Sequence, residues 1–327
     1  MANLGTTYLG LELDNPFIVG SSGLTRTVDG VRSCAEAGAG AVVLKSIFEE
    51  QIRLEYAETT ESLADSVHPE ALAYLEADIV TRYGPRNYLD LVKKASKAVS
   101  IPVIASVNCT SSHSWIEFAK QLEKSGAAAL ELNIYVLPTD PDQKSGQVDQ
   151  IYLDIVSQVT SRVHMPVSVK LAPYLTNLPR MGKKLVDCGA KGLVVFNRLF
   201  SPDIDIENET VSGGISLSTP DEHRMGLRWV ALLSDTLGVD ICGSRGIHDP
   251  AAAVKMLLAG ATAVQVTSTL YKNKMKQLNL LTEGLAAWMD AKGYADLEDF
   301  RGKLSEDPSG ADLFLRAQYI KAFVGVE

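Results

Sequence analysis

The stretch Asp240-Ile241-Cys242-Gly243-Ser244-Arg245-Gly246-Ile247-His248-Asp249-Pro250, continuing AAAVKMLLAGATAVQVTSTLY to Tyr271, decides the fold. A short apolar run at 239–242 breaks into Gly243 to Gly246. Asp249 then supplies the oxygen-bearing side chain of an N-cap, and Pro250 the fixed φ of a first helical residue. The amphipathic pattern ends at Gly260, and a second apolar run at 263–266 leads into Thr267-Ser268. The order is strand, Gly-rich turn, helix, strand, hydroxyl-bearing turn. Two successive strand ends rich in Gly, Ser and Thr can aim several backbone N–H groups at one anion, as the loops after strands seven and eight of an α/β barrel do for phosphate. The same residues also suit tight βα turns without a ligand.

Outward from this unit the pattern repeats. Continuous apolar runs stand at 17–19, 41–44, 103–106, 128–132, 167–171, 193–196, 239–242 and 263–266, which makes eight. Unbroken runs rather than alternation are what parallel strands covered on both faces require. Helical patterns separate most of them, at 28–37, 88–98, 114–125, 151–163, 181–188, 226–237 and 250–259. Eight such units predict a (β/α)8 TIM barrel in one domain, preceded by a possible hairpin at 7–12. Long connections at 49–87, 138–150 and 199–218 follow strands two, four and six, where barrel active sites lie. The tail from 277 is helical in pattern, suited to closing the barrel or to an interface.

Composition narrows the function classes. Of 327 residues, 46% are apolar and 22% charged, ordinary values for a globular protein. No apolar run approaches the roughly 20 residues of a membrane span, and no basic segment followed by an apolar core marks secretion. A net charge of −9 without a Lys/Arg-rich run argues against nucleic acid as a partner. Cys34, Cys109, Cys188 and Cys242 show no CxxC spacing, which predicts free thiols in a reducing cytoplasm.

The strand ends carry the chemistry. They read Gly20-Ser21-Ser22-Gly23, Lys45-Ser46, Asn108, Asn133, Lys170 and Asn197. Two lysines and three amides, with no Asp, Glu or His at those positions, argue against a metal site. Lysines buried at a barrel mouth need an anionic partner or carry a depressed pKa. Three readings stay open: a Schiff-base lysine (Lys45 or Lys170), stabilisation of negative charge on a ligand such as a reduced flavin, or a stem that reaches solvent.

The order and spelling of these segments resemble the class 1, soluble dihydroorotate dehydrogenases over nearly the whole chain. Asn15-Pro16-Phe17 to Gly23, Val43-Leu44-Lys45-Ser46, Glu131-Leu132-Asn133, Val169-Lys170-Leu171-Ala172-Pro173-Tyr174, Asn197, a Gly-Gly turn at Gly213-Gly214-Ile215, Gly243 to Gly246, Gln265 to Ser268 and Tyr294 to Leu304 all fall in the family's order. The Ser114-Trp115-Ile116-Glu117 segment is similar to the barrel subunit of bacterial dihydropyrimidine dehydrogenases, a sister group. The resemblance implies FMN over the carboxyl end of the barrel and oxidation of dihydroorotate in pyrimidine biosynthesis. It further implies a small-molecule substrate and a cytoplasmic homodimer. It assigns the cofactor to Ser21, Ser22, Gly23, Lys45, Ser46, Asn108, Asn133, Lys170, Asn197, Gly214, Gly243, Arg245, Gly246, Thr267 and Ser268. It assigns the substrate to Lys45, Asn133, Asn197 and Arg198. Lys45, Lys170 and Asn133 are the implied catalytic groups, with Lys170 beside the reduced ring.

The chain departs from the family where the base belongs. The family places a catalytic cysteine after its fourth-strand Leu-Asn, followed by a substrate asparagine; here Val136 and Pro138 stand in those places. Valine accepts no proton, and general-base catalysis contributes about 10² to 10⁴ in rate. The sequence therefore leaves two readings beside the lyase: turnover of dihydroorotate or a related cyclic dihydropyrimidine or enone, or a paralogue that binds FMN without that turnover. Tyr135, Asp140 and Glu76 are candidates for a substitute base. Glu76-Ala77-Asp78 also stands where the family has an Asn-containing turn. Arg198 stands where a small residue is usual, and Arg245 replaces a phosphate-loop glycine. Each is either a ligand group or part of a structural ion pair.

Overall fold

A computed structural model describes residues 2–52, 85–110, 116–198, 201–214 and 216–305. Most of the insertion after the second strand, Glu76-Ala77-Asp78 included, lies outside these residues, as do Ser114-Trp115 and the tail from 306. Strands β1 (Thr6–Tyr8) and β2 (Leu11–Leu13) form the expected hairpin. There follow β3 (Phe17–Val19), β4 (Ala41–Val43), the short β5 (Ile47–Phe48), β6 (Val103–Cys109), β7 (Ala129–Ile134), β8 (Val167–Leu171), β9 (Gly192–Val195), β10 (Ser201–Asp205), β11 (Thr210–Gly214), β12 (Asp240–Ser244) and β13 (Ala263–Val266). The parallel order β4-β3-β13-β12-β9-β8-β7-β6 returns to β4 through its pairing with β6. Eight parallel strands thus close a (β/α)8 barrel, with β5 as an added strip beside β6.

The helices are α1 (Val28–Glu36), α2 (Pro85–Ala98), α3 (Ile116–Lys124), α4 (Ser145–Thr160), α5 (Leu178–Asp187), α6 (His223–Leu237), α7 (Pro250–Leu258), α8 (Ser268–Asn273) and α9 (Gln277–Lys292). Asp249 caps α7 as expected, its carboxylate accepting from the Ala252 N–H at 2.8 Å. Helix α4 begins at Ser145, earlier than the apolar period alone predicts. Its start is set by the Gln147 side chain, which accepts from the Lys144 N–H at 2.9 Å.

The connection after β9 is not an open loop. It holds the β10–β11 hairpin, turned at Asp205, whose carboxylate accepts from the Glu207 and Asn208 N–H groups at 3.0 and 3.2 Å. Gly213 and Gly214 are strand residues paired with Pro202 and Ser201, so the expected Gly-Gly turn is corrected to the second arm of this hairpin.

Strand parity sorts the core into two layers. Outward residues such as Leu130, Leu132 and Ile134 of β7 pack against the helices. Inward residues near the amino-terminal end form a separate cluster of Ile18, Ala41, Val43, Ile104, Ala129, Val194, Cys242 and Ala263. Tyr8 and Leu9 of the β1–β2 hairpin plug that end, and the Leu9 N–H donates to Asp240 at 2.6 Å. Each fully buried side chain of this kind contributes about 1.5–3 kcal/mol, so the floor of the barrel is a stability element.

Candidate functional site

Polar side chains begin one inward step above that floor. Ser106, Glu131, Asn133, Ser168, Lys170, Ser244 and Gln265 are all buried, and buried polar groups persist only when they are paired. The upper set runs across four strand ends. Ser21 Oγ lies 3.0 Å from Ser46 Oγ and accepts from the Ser46 N–H at 2.8 Å. Ser46 Oγ lies 2.8 Å from Ser106 Oγ. Asn133 donates its amide to both Ser46 and Ser106, at 2.9 and 3.0 Å. Its Oδ1 is buried without a hydrogen-bond partner, a state that costs about 1–3 kcal/mol until something donates to it.

The lower set is charged. Lys170 donates to Gln265 Oε1 at 2.7 Å and stands 3.6 Å from Glu131 Oε1, while Gln265 donates its amide to Glu131 Oε2. The expectation that both lysines are buried holds for Lys170 alone, which has the anionic partner a buried lysine needs. Lys170 is buried beside Glu131, whereas Lys45 is exposed. Shielding of its ammonium and the charge of Arg26 hold Lys45 below the ordinary lysine pKa.

Close approach shapes the rim. A Cβ on Gly20 would sit 2.8 Å from Thr267 Oγ1, and one on Gly23 would sit 2.7 Å from Tyr271 Oη. The first loop thus passes close to the Thr267 and Tyr271 hydroxyls, and the Ser22 side chain caps the short turn there by accepting from Leu24 N–H at 3.3 Å. In the loop after β12, Arg245 has φ 71° and Gly246 φ 68°. Arg245 therefore occupies a conformation that glycine adopts without strain.

Arg245 and Arg198 converge on Glu222, Arg245 at 2.7 Å; Arg198 also donates to Ser216 O and Oγ at 2.7 and 2.8 Å. Burial works to raise the Glu222 pKa, but bonds from Arg198, the Thr219 N–H and Arg245 hold it at about 2. Of the two roles open to these arginines, the structure displays the ion pair. Ser268 Oγ accepts from the Ser218 N–H at 3.0 Å, and Lys272 donates to Ser218 O at 2.8 Å, so the last two loops are tied together.

The remaining expected residues are spread around the same mouth. Asn108 pairs in register with Asn133, and Asn197 follows β9 with its N–H on Leu171 O at 2.8 Å; both are half-buried. Gly243, in register with Val264, leaves space for Met256. Gly214 lies apart from any turn, in the β10–β11 hairpin. Among the described residues, most large apolar side chains that stay exposed sit on the connections leaving this end: Phe48, Leu137, Tyr174, Ile204, Ile206 and Val211.

Val136 is half-buried and packs against the outer, helix-facing layer. Tyr135 beside it is half-buried, and Asp140 is exposed with Oδ1 accepting from Asp142 N–H at 2.9 Å. Among the described residues no three His, Cys, Asp or Glu side chains gather as metal ligands, and no helix is long and apolar enough to cross a membrane.

A family model described as dihydroorotate dehydrogenase matches residues 3–289. The chain belongs to the dihydroorotate dehydrogenase family. The catalytic subunit of dihydroorotate dehydrogenase B (NAD(+)) from Thermoplasma volcanium is 27% identical over 317 residues, covering 92% of this chain and 98% of the relative. The subunit of the same name from Methanosarcina acetivorans is 29% identical over 300 residues, covering 90% and 93%. That from Geotalea uraniireducens is 30% identical over 219 residues, covering 64% and 70%. Membership makes the chain an oxidoreductase of the kind that acts on CH–CH bonds.

Reading strand ends alone passes over Ser106, Glu131, Gln265 and Glu222. The first three carry a signal that parity exposes: each is a polar residue inside a largely apolar strand, at the same parity as an inward neighbour. Glu222 gives no such signal. It lies in a connecting turn, and only the fold brings Arg198 and Arg245 to it.

Proposed function

We propose that the barrel mouth binds FMN and that the chain oxidises dihydroorotate or a closely related cyclic dihydropyrimidine across its CH–CH bond. The observation that carries this reading is the continuous polar lining Ser21–Ser46–Ser106–Asn133, with buried Lys170 in register beside Asn133. The residues fit the cofactor on two counts. The orphaned Asn133 Oδ1 is an acceptor suited to an N–H at the edge of a planar ring, and the hydroxyls of Ser21, Ser46 and Ser106 line the mouth beside it. Gly243, Arg245, Gly246, Thr267 and Ser268 would hold the phosphate end, with Arg245 shared between phosphate and Glu222.

When bound, FMN supplies the two-electron chemistry. The chain supplies orientation and charge. Lys170 would hold positive charge beside the ring edge that becomes negative on reduction, and Asn133 with Asn197 would fix a planar substrate by its amide edges. Lys45, kept below its ordinary pKa and free of carboxylates among the described residues, would meet an anionic substituent of the substrate. Ser21 and Ser46 would orient Asn133 rather than touch the reacting atoms.

Val136 favours a second reading, in which FMN binds and dihydroorotate turns over slowly or not at all. A side chain that packs into the helix-facing layer and has no proton acceptor cannot replace the family's base. Anaerobic mixing of the flavin-loaded protein with dihydroorotate separates the two. Rapid loss of the oxidised flavin band supports the first, and a band that persists for minutes supports the second. The same reading includes a homodimer in the cytoplasm, and light scattering of the purified protein checks the dimer.

A further inference from the structure

We propose that Glu131 is a positioning residue which sets how much positive charge Lys170 presents to a bound redox ring. The inference rests on the FMN reading above and concerns a residue that does not itself reach the reacting atoms. Glu131 is 1% exposed, in the middle of β7 and one inward step below Asn133. A carboxylate so deep in a barrel is costly unless cations and donors compensate it. Its compensation comes from two residues only among those described: Lys170 at 3.6 Å from Oε1, and the Gln265 amide on Oε2. Oε1 has no hydrogen bond of its own.

Gln265 links the pair by accepting from Lys170 Nζ at 2.7 Å while donating to Glu131. This arrangement fixes the amide's sense, because reversing it would turn its NH₂ toward an ammonium and its oxygen toward a carboxylate. Three strands, β7, β8 and β13, therefore hold a carboxylate, an ammonium and an amide in one closed set. The other titratable groups that face Glu131 are Tyr8, Tyr88 and Cys242, each held neutral by burial and pushed further upward by the Glu131 charge. None of them offsets that charge.

The set is thus close to neutral as a whole. A redox ring held at the mouth would meet the Lys170 ammonium with its field partly cancelled by the Glu131 carboxylate 3.6 Å away. Reduction of a bound flavin would add negative charge at the mouth, and the residual field of Lys170 would set how well that charge is stabilised. Removing the Glu131 charge would leave the Lys170 charge uncompensated and favour the reduced form. Adding a second carboxylate at Gln265 does the reverse.

The test is a potentiometric titration of FMN-loaded wild type, Glu131→Gln and Gln265→Glu. At a fixed potential, Glu131→Gln is expected to raise the ratio of reduced to oxidised flavin at least tenfold, a midpoint about 30 mV higher for a two-electron couple. Gln265→Glu is expected to lower it by a similar factor. Should Glu131→Gln fail to fold, the opposite shift in Gln265→Glu carries the test by itself. A ratio within twofold of wild type in a folded, loaded variant overturns the role given to Glu131 and leaves flavin binding standing. A wild-type protein that takes up no FMN overturns both.

Discussion

The two ends of the barrel are built from the same strands and have opposite character. At the floor stand Ile104, Ala129, Cys242 and Ala263; one inward step along the same four strands stand Ser106, Glu131, Ser244 and Gln265. The floor is closed by Tyr8 and Leu9 from outside the barrel, whereas the mouth is lined by side chains that bond one another and still leave the Asn133 Oδ1 acceptor over. The difference teaches where stability and chemistry are separated. Apolar filling below supplies the free energy, and the polar layer above accepts a local loss of stability in exchange for a ready-made set of ligand contacts.

The sharpest break of this contrast is Lys170→Ala. It strands the Glu131 carboxylate, and losing one partner of a buried pair costs about 3–5 kcal/mol. The rate of flavin reduction by substrate is expected to fall by about 10² or more, with a smaller loss in FMN affinity, because the charge acts mainly on the reduced ring. Stopped-flow reduction alongside an FMN titration reads both, and equal losses would count against the role. At the other end, Ile104→Ala should lower unfolding free energy by about 2–5 kcal/mol. It should leave FMN affinity nearly unchanged, which denaturant unfolding and the same titration measure together.

A smaller effect belongs to the Arg198–Glu222–Arg245 cluster. Because the folded Glu222 pKa, about 2, lies below its ordinary 4.5, the carboxylate contributes stability that is complete above pH 4.5. That contribution is lost as pH falls through the interval down to about 2. Thermal melts across this range should show a steeper acid loss for wild type than for Glu222→Gln. Parallel curves would show that the cluster carries no net stability. The smallest effect is expected from Val136→Cys. Restoring a thiol at this position should raise dihydroorotate oxidation less than tenfold, since the side chain packs toward the helices; a gain of about 10² to 10⁴, the usual worth of a general base, would show that the loop turns it over the mouth.

Much of the fold was legible because parallel barrel strands announce themselves as short, unbroken apolar runs, and Asp249-Pro250 and Gly260 marked one helix at both ends. The β10–β11 hairpin is harder to see in the sequence because Ser201–Asp205 has little apolar content, although Asp205 with Asn208 is a turn signal. At the site, Asn133 and Lys170 were found as strand-final residues. Glu131 is not a strand-final residue; only parity places it inside, beneath the Asn133 tip. Lys45 shows the limit of the same method: strand position located it at the mouth, but its exposure depends on how the following residues leave the strand.

The most direct measurement is the flavin content of the purified protein, read from its absorbance and from cofactor released on denaturation, with reconstitution by added FMN. The account predicts a yellow protein carrying about one FMN per chain, retained by Ile104→Ala and weakened when Asn133 is replaced by Ala. Protein that is colourless as purified and takes up no FMN on reconstitution would contradict it.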